Sequence, residues 1–402
     1  MPKTKSWIEG YCYVIIFLLI YLEWGYAPVV AQSIPGIAKT ALMIVSVVPL
    51  CFFKSFRIKV KSFILFAYFT IIIVISALRD IEIGNSILLF VPIFCAFIFT
   101  SGYSAEKAIR AFCNIITFLS AYSLAFYTLT LLAPSILSPF PILPNPFNIP
   151  IHNLGFAVMP TGMGIIRNYG ITWEPGAFAL LICIAIYCQI VGYKTLNKKR
   201  IIINIIALIT TFSTMGFVVL AAIILITRFR TSAVHNSASA NVLLLLFIGV
   251  SIYFLLGTSS ELYDVVFSKL SGFSIDSENT QTTQARLNAI IYPGEAFLSS
   301  PIIGVGYDVF KNINATLCDN VATNTIVNWF AILGIALGLP CSLYYFKAIL
   351  KAADYLDLNL LFKFSLIVAF SLLISTESLL RISLIYVIIF YGCSTKKLIK
   401  DA

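Results

Sequence analysis

The chain has 402 residues, of which 60% are hydrophobic and only 11% charged, with a mean hydropathy of +0.96. Soluble domains carry about 25% charged residues, so this composition excludes a soluble globular protein and describes an integral membrane one. The formal net charge of +10 invites a nucleic-acid reading, but the places where the cations fall argue against it.

A segment that crosses a bilayer needs about 20 mainly apolar residues, because only a closed helix satisfies its own backbone in lipid. In chain order the apolar stretches predict spans at 11–30, 34–53, 62–78, 84–100, 110–133, 176–193, 201–212, 215–228, 241–257, 325–346, 361–376 and 380–394. The run from Ile201 to Thr227 is too long for one upright helix, so a turn at Phe212-Ser213-Thr214-Met215-Gly216 is expected to fold it into a hairpin. The expected fold is an all-α polytopic membrane protein, one transmembrane domain over residues 1–402 with about 12 transmembrane helices. Lys3, Lys5 and Val29-Val30-Ala31 resemble a signal peptide with its cleavage site, but the apolar core between them blends into a full-length span. It is read as a retained first helix.

Basic residues set the orientation. With the N-terminus inside, 20 of the 27 Lys and Arg fall on the cytoplasmic side, and the bias recurs at every inner loop. Lys39, Arg79, Arg167, Lys269, Arg286, Lys311 and Arg381 remain outside, and both termini are cytoplasmic. The net charge is thus a topology signal, with no nucleic-acid partner expected. The nine cysteines lie mostly within spans as small apolar side chains, Cys318 being the one clearly in an outer loop. His152 and His235 are far apart, and neither metal spacing, a phosphate-binding Gly-Lys loop nor a dinucleotide fingerprint occurs, so no metal or cofactor is expected.

Two connections, 134–175 and 258–324, are much longer than helix–helix turns, and both fall outside. The first holds Pro134, Pro139, Pro141, Pro144, Pro146, Pro150 and Pro160, which stiffen it into a shaped lid. The second carries most of the outer charged groups and an amphipathic piece around Thr283–Leu298 suited to a membrane surface.

Arg167-Asn168-Tyr169-Gly170-Ile171-Thr172-Trp173-Glu174-Pro175 closes the first loop. It resembles the Arg-x-x-Gly-x-x-x-Glu-Pro block of the Wzy-type O-antigen polymerase family. Ser300-Pro301-Ile302-Ile303-Gly304-Val305-Gly306-Tyr307-Asp308-Val309-Phe310, after Arg286, is similar to the Pro-Leu-x-Gly-x-Gly-x-x-x-Phe block that O-antigen polymerases and ligases share. The turn at Thr211–Gly216 is similar to their Thr-x-Ser-Arg-Gly turn, with Thr214 where the arginine stands, and Thr323-Asn324 occupies the place of the ligases' His-Asn. The missing histidine points to the polymerase branch, and the missing arginine removes one expected anion contact.

The resemblance implies a bacterial inner-membrane glycosyltransferase whose long loops are periplasmic. Its substrates would be undecaprenyl-pyrophosphate-linked oligosaccharides, joined into O-antigen or capsule polysaccharide beside membrane lipid, with a chain-length regulator protein as a family-level partner. The leaving pyrophosphate needs cations, and arginine forks suit phosphate oxygens. Arg167, Arg286 and Arg381 are the candidates, each with a plainer reading as an interfacial anchor or ion pair. For Arg381 the plainer reading is an intrahelical pair with Glu377, four residues earlier at a helix start. Arg79 beside Asp80 reads as a solvated turn. Glu174 is the candidate general base and Asp308 the second, although a carboxylate before Pro175 also suits a helix N-terminus. Tyr169 and Trp173 could stack on sugar rings or anchor at the interface, and Gly304 and Gly306 would allow a close backbone approach. An O-antigen ligase and a lipid-linked oligosaccharide flippase are the rival readings; a transporter would show Gly/Pro-broken helices and charges at mid-membrane.

Overall fold

The computed structural model describes residues 2–79, 83–144, 150–161, 166–192, 197–231, 280–318, 323–353, 358, 360–375 and 377–394. The helices among them are α1 (Pro2–Trp24), α2 (Tyr26–Val29), α3 (Gly36–Val47), α4 (Val60–Ala77), α5 (Ile83–Gly102), α6 (Ala105–Leu132), α7 (Pro175–Gly192), α8 (Lys198–Thr210), α9 (Thr214–Thr231), α10 (Thr280–Ser299), α11 (Tyr307–Leu317), α12 (Thr325–Ala352), α13 (Leu360–Ile374) and α14 (Ser383–Ser394). Helix occupies eleven of the twelve expected stretches; 241–257 lies outside the described residues. Among the described residues five segments are long and apolar enough to cross a membrane: Trp7–Trp24, Val60–Ala77, Gly84–Gly102, Ala105–Leu132 and Thr325–Ala352.

Helix α7 is apolar on every side from Ala177 to Ile186, and Ala177 through Tyr187 are all buried. A helix with no polar face must be surrounded, and α6, α8, α9 and α12 surround it. On the other side of the core α14 packs between α12 and α5. Helices α8 and α9 form the expected hairpin, turning at Thr211–Ser213 with Phe212 at φ +49°.

Not everything is helical. The proline-rich loop builds a three-stranded antiparallel sheet, β1 (Ile142–Leu143), β2 (Ile151–Asn153) and β3 (Val158–Pro160). This departs from the all-α expectation. Its β-branched residues Ile151 and Val158 bury against Tyr26, turning the loop into a lid over the end of α1. His152 pairs in this sheet, its Nδ1 3.2 Å from the Phe140 carbonyl.

The main irregularity lies in α12, where Gly334 (φ +61°, ψ −166°) interrupts the helix. The freed groups are taken up by residues 301–306. Val305 and Gly306 donate N–H to the carbonyls of Ala331 (2.9 Å) and Ile332 (3.1 Å), while Ile335 and Ala336 donate to those of Pro301 (2.8 Å) and Ile302 (3.0 Å). The approach is too close for side chains. A Cβ on Gly304 would lie 2.3 Å from the Ile332 backbone, and one on Gly334 would lie 2.3 Å from Ile302. Both glycines also have positive φ.

Gly304→Ala and Gly334→Ala should each destabilise the protein by about 3 kcal/mol, summing left-handed strain and overpacking. Gly10, helical with nothing near its absent Cβ, should tolerate alanine with no loss. Thermal unfolding in detergent checks this; equal midpoints for the three variants would mean that the backbone pairing at the break is not required.

Candidate functional site

Arg167 does not point freely into solvent. Its Nε donates to the Thr211 carbonyl (3.0 Å) and its Nη2 to the Phe212 carbonyl (3.2 Å), so the guanidinium caps the left-handed turn of the hairpin. The neighbouring Asn168 is fully buried. Its amide nitrogen donates to Ser123 and Thr210, and its Oδ1 accepts from the Gly170 N–H at 2.9 Å. Gly170 (φ +56°) lies so close to the Phe178 ring that a Cβ would sit 2.6 Å from it. The Arg167–Pro175 block is therefore a tightly specified strap. Burial pushes the Arg167 guanidinium down, while Tyr169 and the Glu174 carboxyl on the same strap pull it back up.

The strap delivers two side chains to residue 377. Trp173 Nε1 donates to Glu377 Oε2 at 3.1 Å, and its ring stacks on Trp24 at 5.4 Å between centroids. Glu174 lies exposed at the mouth of this contact. A Cβ on Gly176 would be 2.9 Å from Glu174 Oε1 and 3.2 Å from Glu377 Oε1, so the two carboxyls flank one point. Glu377 is 3% exposed, and its Oε1 has no hydrogen-bond donor within reach. Two carboxyl oxygens this close can bond only if one carries a proton. Burial first, and then the facing Glu174 carboxyl, push Glu377 well above the ordinary carboxylate range, against the pull of the Trp173 N–H.

Four residues on, Arg381 reaches the opposite way. The expected intrahelical pair with Glu377 does not form, because both residues lie in the connection between α13, which ends at Ile374, and α14, which begins at Ser383. That connection is fixed by contacts remote in sequence. Thr325 donates its hydroxyl to the Glu377 carbonyl and accepts from the Leu379 N–H, and Glu23 caps α14 through the Ser383 N–H and hydroxyl. The Arg381 guanidinium lies over the Tyr307 ring, 4.2 Å from its centroid, and donates to Asn85 Oδ1 at 3.3 Å. Asn85 in turn donates to Asp308 Oδ1 at 2.6 Å. Arg381 Nε is enclosed without a hydrogen-bond partner. Lys39 lies within charge–charge range of both Arg381 and Glu23.

Arg79, read from sequence as a solvated turn, donates to the Gly304 carbonyl at 2.9 Å and ties the end of α4 to the glycine segment. Gly304 and Gly306 serve the backbone pairing with α12, and Gly306 precedes α11 (φ +85°), which carries Tyr307 and Asp308. Arg286 lies on α10; its side chain is outside the described residues. The structure thus brings Trp173 and Glu174 to one flank of residues 377–381, and Tyr307 and Asp308 to the other, while Arg167 is engaged with the hairpin turn and Tyr169 packs with Tyr26 and Ile151. Glu23 and Asn85 escaped the sequence reading, which named Glu377 only as a helical partner of Arg381. An acid inside an apolar span, as at Glu23, was the available signal.

No family model matches this chain, and no curated protein does either. Among the described residues no cluster of His, Cys, Asp and Glu is placed to hold a metal ion.

The acid pair sets a pH dependence whose sign follows from linkage. A carboxyl whose folded pKa is raised binds its proton more tightly in the folded state. Its contribution is then fully present below the unfolded value of about 4.3 and is lost as pH rises toward the folded value. The wild type should therefore unfold at a lower temperature at pH 8 than at pH 5, and Glu377→Gln, which keeps an acceptor for Trp173, should reduce the difference. Differential scanning fluorimetry across that range tests it; an unchanged slope in the variant would remove the shared proton.

Proposed function

We propose that this protein is a polytopic inner-membrane glycosyltransferase of the O-antigen polymerase type, with about twelve spans, cytoplasmic termini and its reaction site at the periplasmic end. One observation carries the reading. The two sequence blocks that resemble the polymerase family arrive on opposite flanks of the same short connection, where Glu377 meets the first block and Arg381 meets the second. A transferase with a pyrophosphate leaving group needs a proton acceptor and fixed cations in one place, and this connection joins both.

On this reading the acceptor sugar hydroxyl attacks the anomeric carbon of the polymer-bearing donor. A new glycosidic bond forms, the bond from the anomeric carbon to the pyrophosphate oxygen breaks, and undecaprenyl pyrophosphate departs. Glu174 takes the hydroxyl proton, a general-base role that is typically worth about 10²–10⁴-fold in rate. Arg381, held over Tyr307, and Lys39 receive the developing phosphate charge; Arg286 is proposed for the same task. Arg167 positions the Tyr169–Glu174 strap through the hairpin turn, and Asp308 orients Asn85 toward Arg381. Trp173 and Tyr169 offer aromatic surface for sugar rings.

The flippase reading asks for broken helices, and α12 is broken at Gly334. However, the carbonyls of Ala331 and Ile332 and the amides of Ile335 and Ala336 are already paired with residues 301–306, so these groups are not free for a passing ion. Ligase and polymerase separate in the cell. Deleting the gene should leave lipid A core plus a single repeat unit on a polysaccharide gel, whereas loss of a ligase leaves bare core. In the deletion strain, Arg381→Ala and Glu174→Ala at wild-type membrane levels should give the single-repeat pattern, each removing about 3–4 kcal/mol of barrier lowering. Normal chain lengths from both variants would reject the site, and unaltered polysaccharide in the deletion strain would reject the activity.

A further inference from the structure

At the opposite end of the bundle the linker before α4, the end of α5 and the start of α6 line an open cavity of about 430 Å³. Lys54, Arg57, Lys59 and Lys107 line it, together with the hydroxyl-bearing Ser55 and Ser104. Lys107 is neutralised by Glu9 at 3.5 Å. Among the described residues no carboxylate pairs with Lys54, Arg57 or Lys59, so three like charges share one concave surface. Repulsion alone would drive such a group apart.

The backbone that carries them is tied to the neighbouring helices. The Arg57 N–H donates to the Ser101 carbonyl at 2.9 Å, the Tyr103 hydroxyl donates to the Ile8 carbonyl at 2.9 Å, and the Tyr391 hydroxyl donates to the Tyr103 carbonyl at 3.0 Å. Beside the cavity stand aromatics of the kind that sit at a membrane–water boundary. The Tyr11 ring lies between Trp7 (6.4 Å) and Phe53 (5.6 Å), and Trp7 and Phe52 are 73% and 85% exposed. A preformed basic hollow next to exposed apolar rings suits a ligand that is anionic at one end and hydrocarbon at the other.

We propose that this cavity is a binding site for a phosphate-bearing anion, filled by the headgroup of an anionic phospholipid from the leaflet on the N-terminal side. Phosphate oxygens would be shared among Lys54, Arg57 and Lys59, while the acyl chains run along Trp7 and Phe52.

Native mass spectrometry of the full-length protein with equal amounts of phosphatidylglycerol and phosphatidylcholine tests it. The wild type should retain phosphatidylglycerol on the order of a hundredfold more, since each of the three cations contributes roughly a fivefold effect at a membrane surface. The triple variant Lys54→Gln/Arg57→Gln/Lys59→Gln should lose that preference, whereas Lys198→Gln/Lys199→Gln, which removes two cations of the same side, should keep it. Retention of phosphatidylglycerol in millimolar inorganic phosphate identifies the lipid as the source. Displacement there, with labelled phosphate binding to the wild type and not to the triple variant, would assign the site to a soluble anion and overturn the lipid headgroup. No lipid preference in the wild type, or a preference that survives in the triple variant, would overturn the site.

Discussion

The constraint on which the candidate site depends is the repair of a broken helix. A helix interrupted inside an apolar core leaves carbonyls and amides with no water to satisfy them, and each such group costs several kcal/mol in hydrocarbon. Gly334 interrupts α12, and the segment 301–306 supplies the missing partners in the manner of a strand laid against the break. Once that pairing is fixed, the start of α11 has nowhere else to go. Tyr307 and Asp308 are held at the positions from which they meet Arg381 and Asn85. Arg79 adds a further tie from α4. The glycine motif therefore acts through the backbone, and its chemical consequence is the placement of residues that follow it.

The same logic explains why the connection between α13 and α14 can hold an acid and a base facing opposite ways. Without a helix to pair them, Glu377 and Arg381 are each partnered across the bundle, one with Trp173 and Glu174, the other with Tyr307 and Asn85. A buried carboxyl without a cation is costly as an anion, which is why proximity to a second carboxyl favours a shared proton over two charges. A buried acid with a raised pKa marks this connection as a place suited to proton chemistry. Arg381, stacked on an aromatic ring and short of one hydrogen bond at Nε, retains capacity for an anion.

How much of this could be read in the sequence depends on the range of the interaction. The apolar runs that fix α4, α5, α6 and α12 are local, and they stand where the run lengths placed them. The hairpin turn was legible because a mainly apolar run of 27 residues exceeds one upright span. The strands of the proline-rich loop were not, since elements of two or three residues carry no period to detect. The Gly-x-Gly spacing announced a close backbone approach, but its partner Gly334 reads as an ordinary glycine in an apolar helix. The Glu377–Arg381 spacing reads as a helical pair because the apolar run resumes at Leu379. What unwinds it is Thr325 and Glu23, 52 and 360 residues away along the chain from the groups they hold, and no local pattern encodes those contacts.

Arg167 shows how a motif position can keep its chemistry while changing its address. The turn after α8 carries Thr214 where the resembling turns have arginine, which from sequence alone removes a cation from that place. The folded chain returns one: the guanidinium of Arg167, from the strap, bonds the carbonyls of Thr211 and Phe212 at that same turn. A left-handed phenylalanine is a strained way to end a helix, and a charged donor spanning two carbonyls is a strong way to hold it. The strap and the hairpin are thereby made one unit. Any movement of the hairpin would be transmitted through Arg167 to the strap that carries Trp173 and Glu174, and so to the carboxyl pair at the N-terminal end of α7.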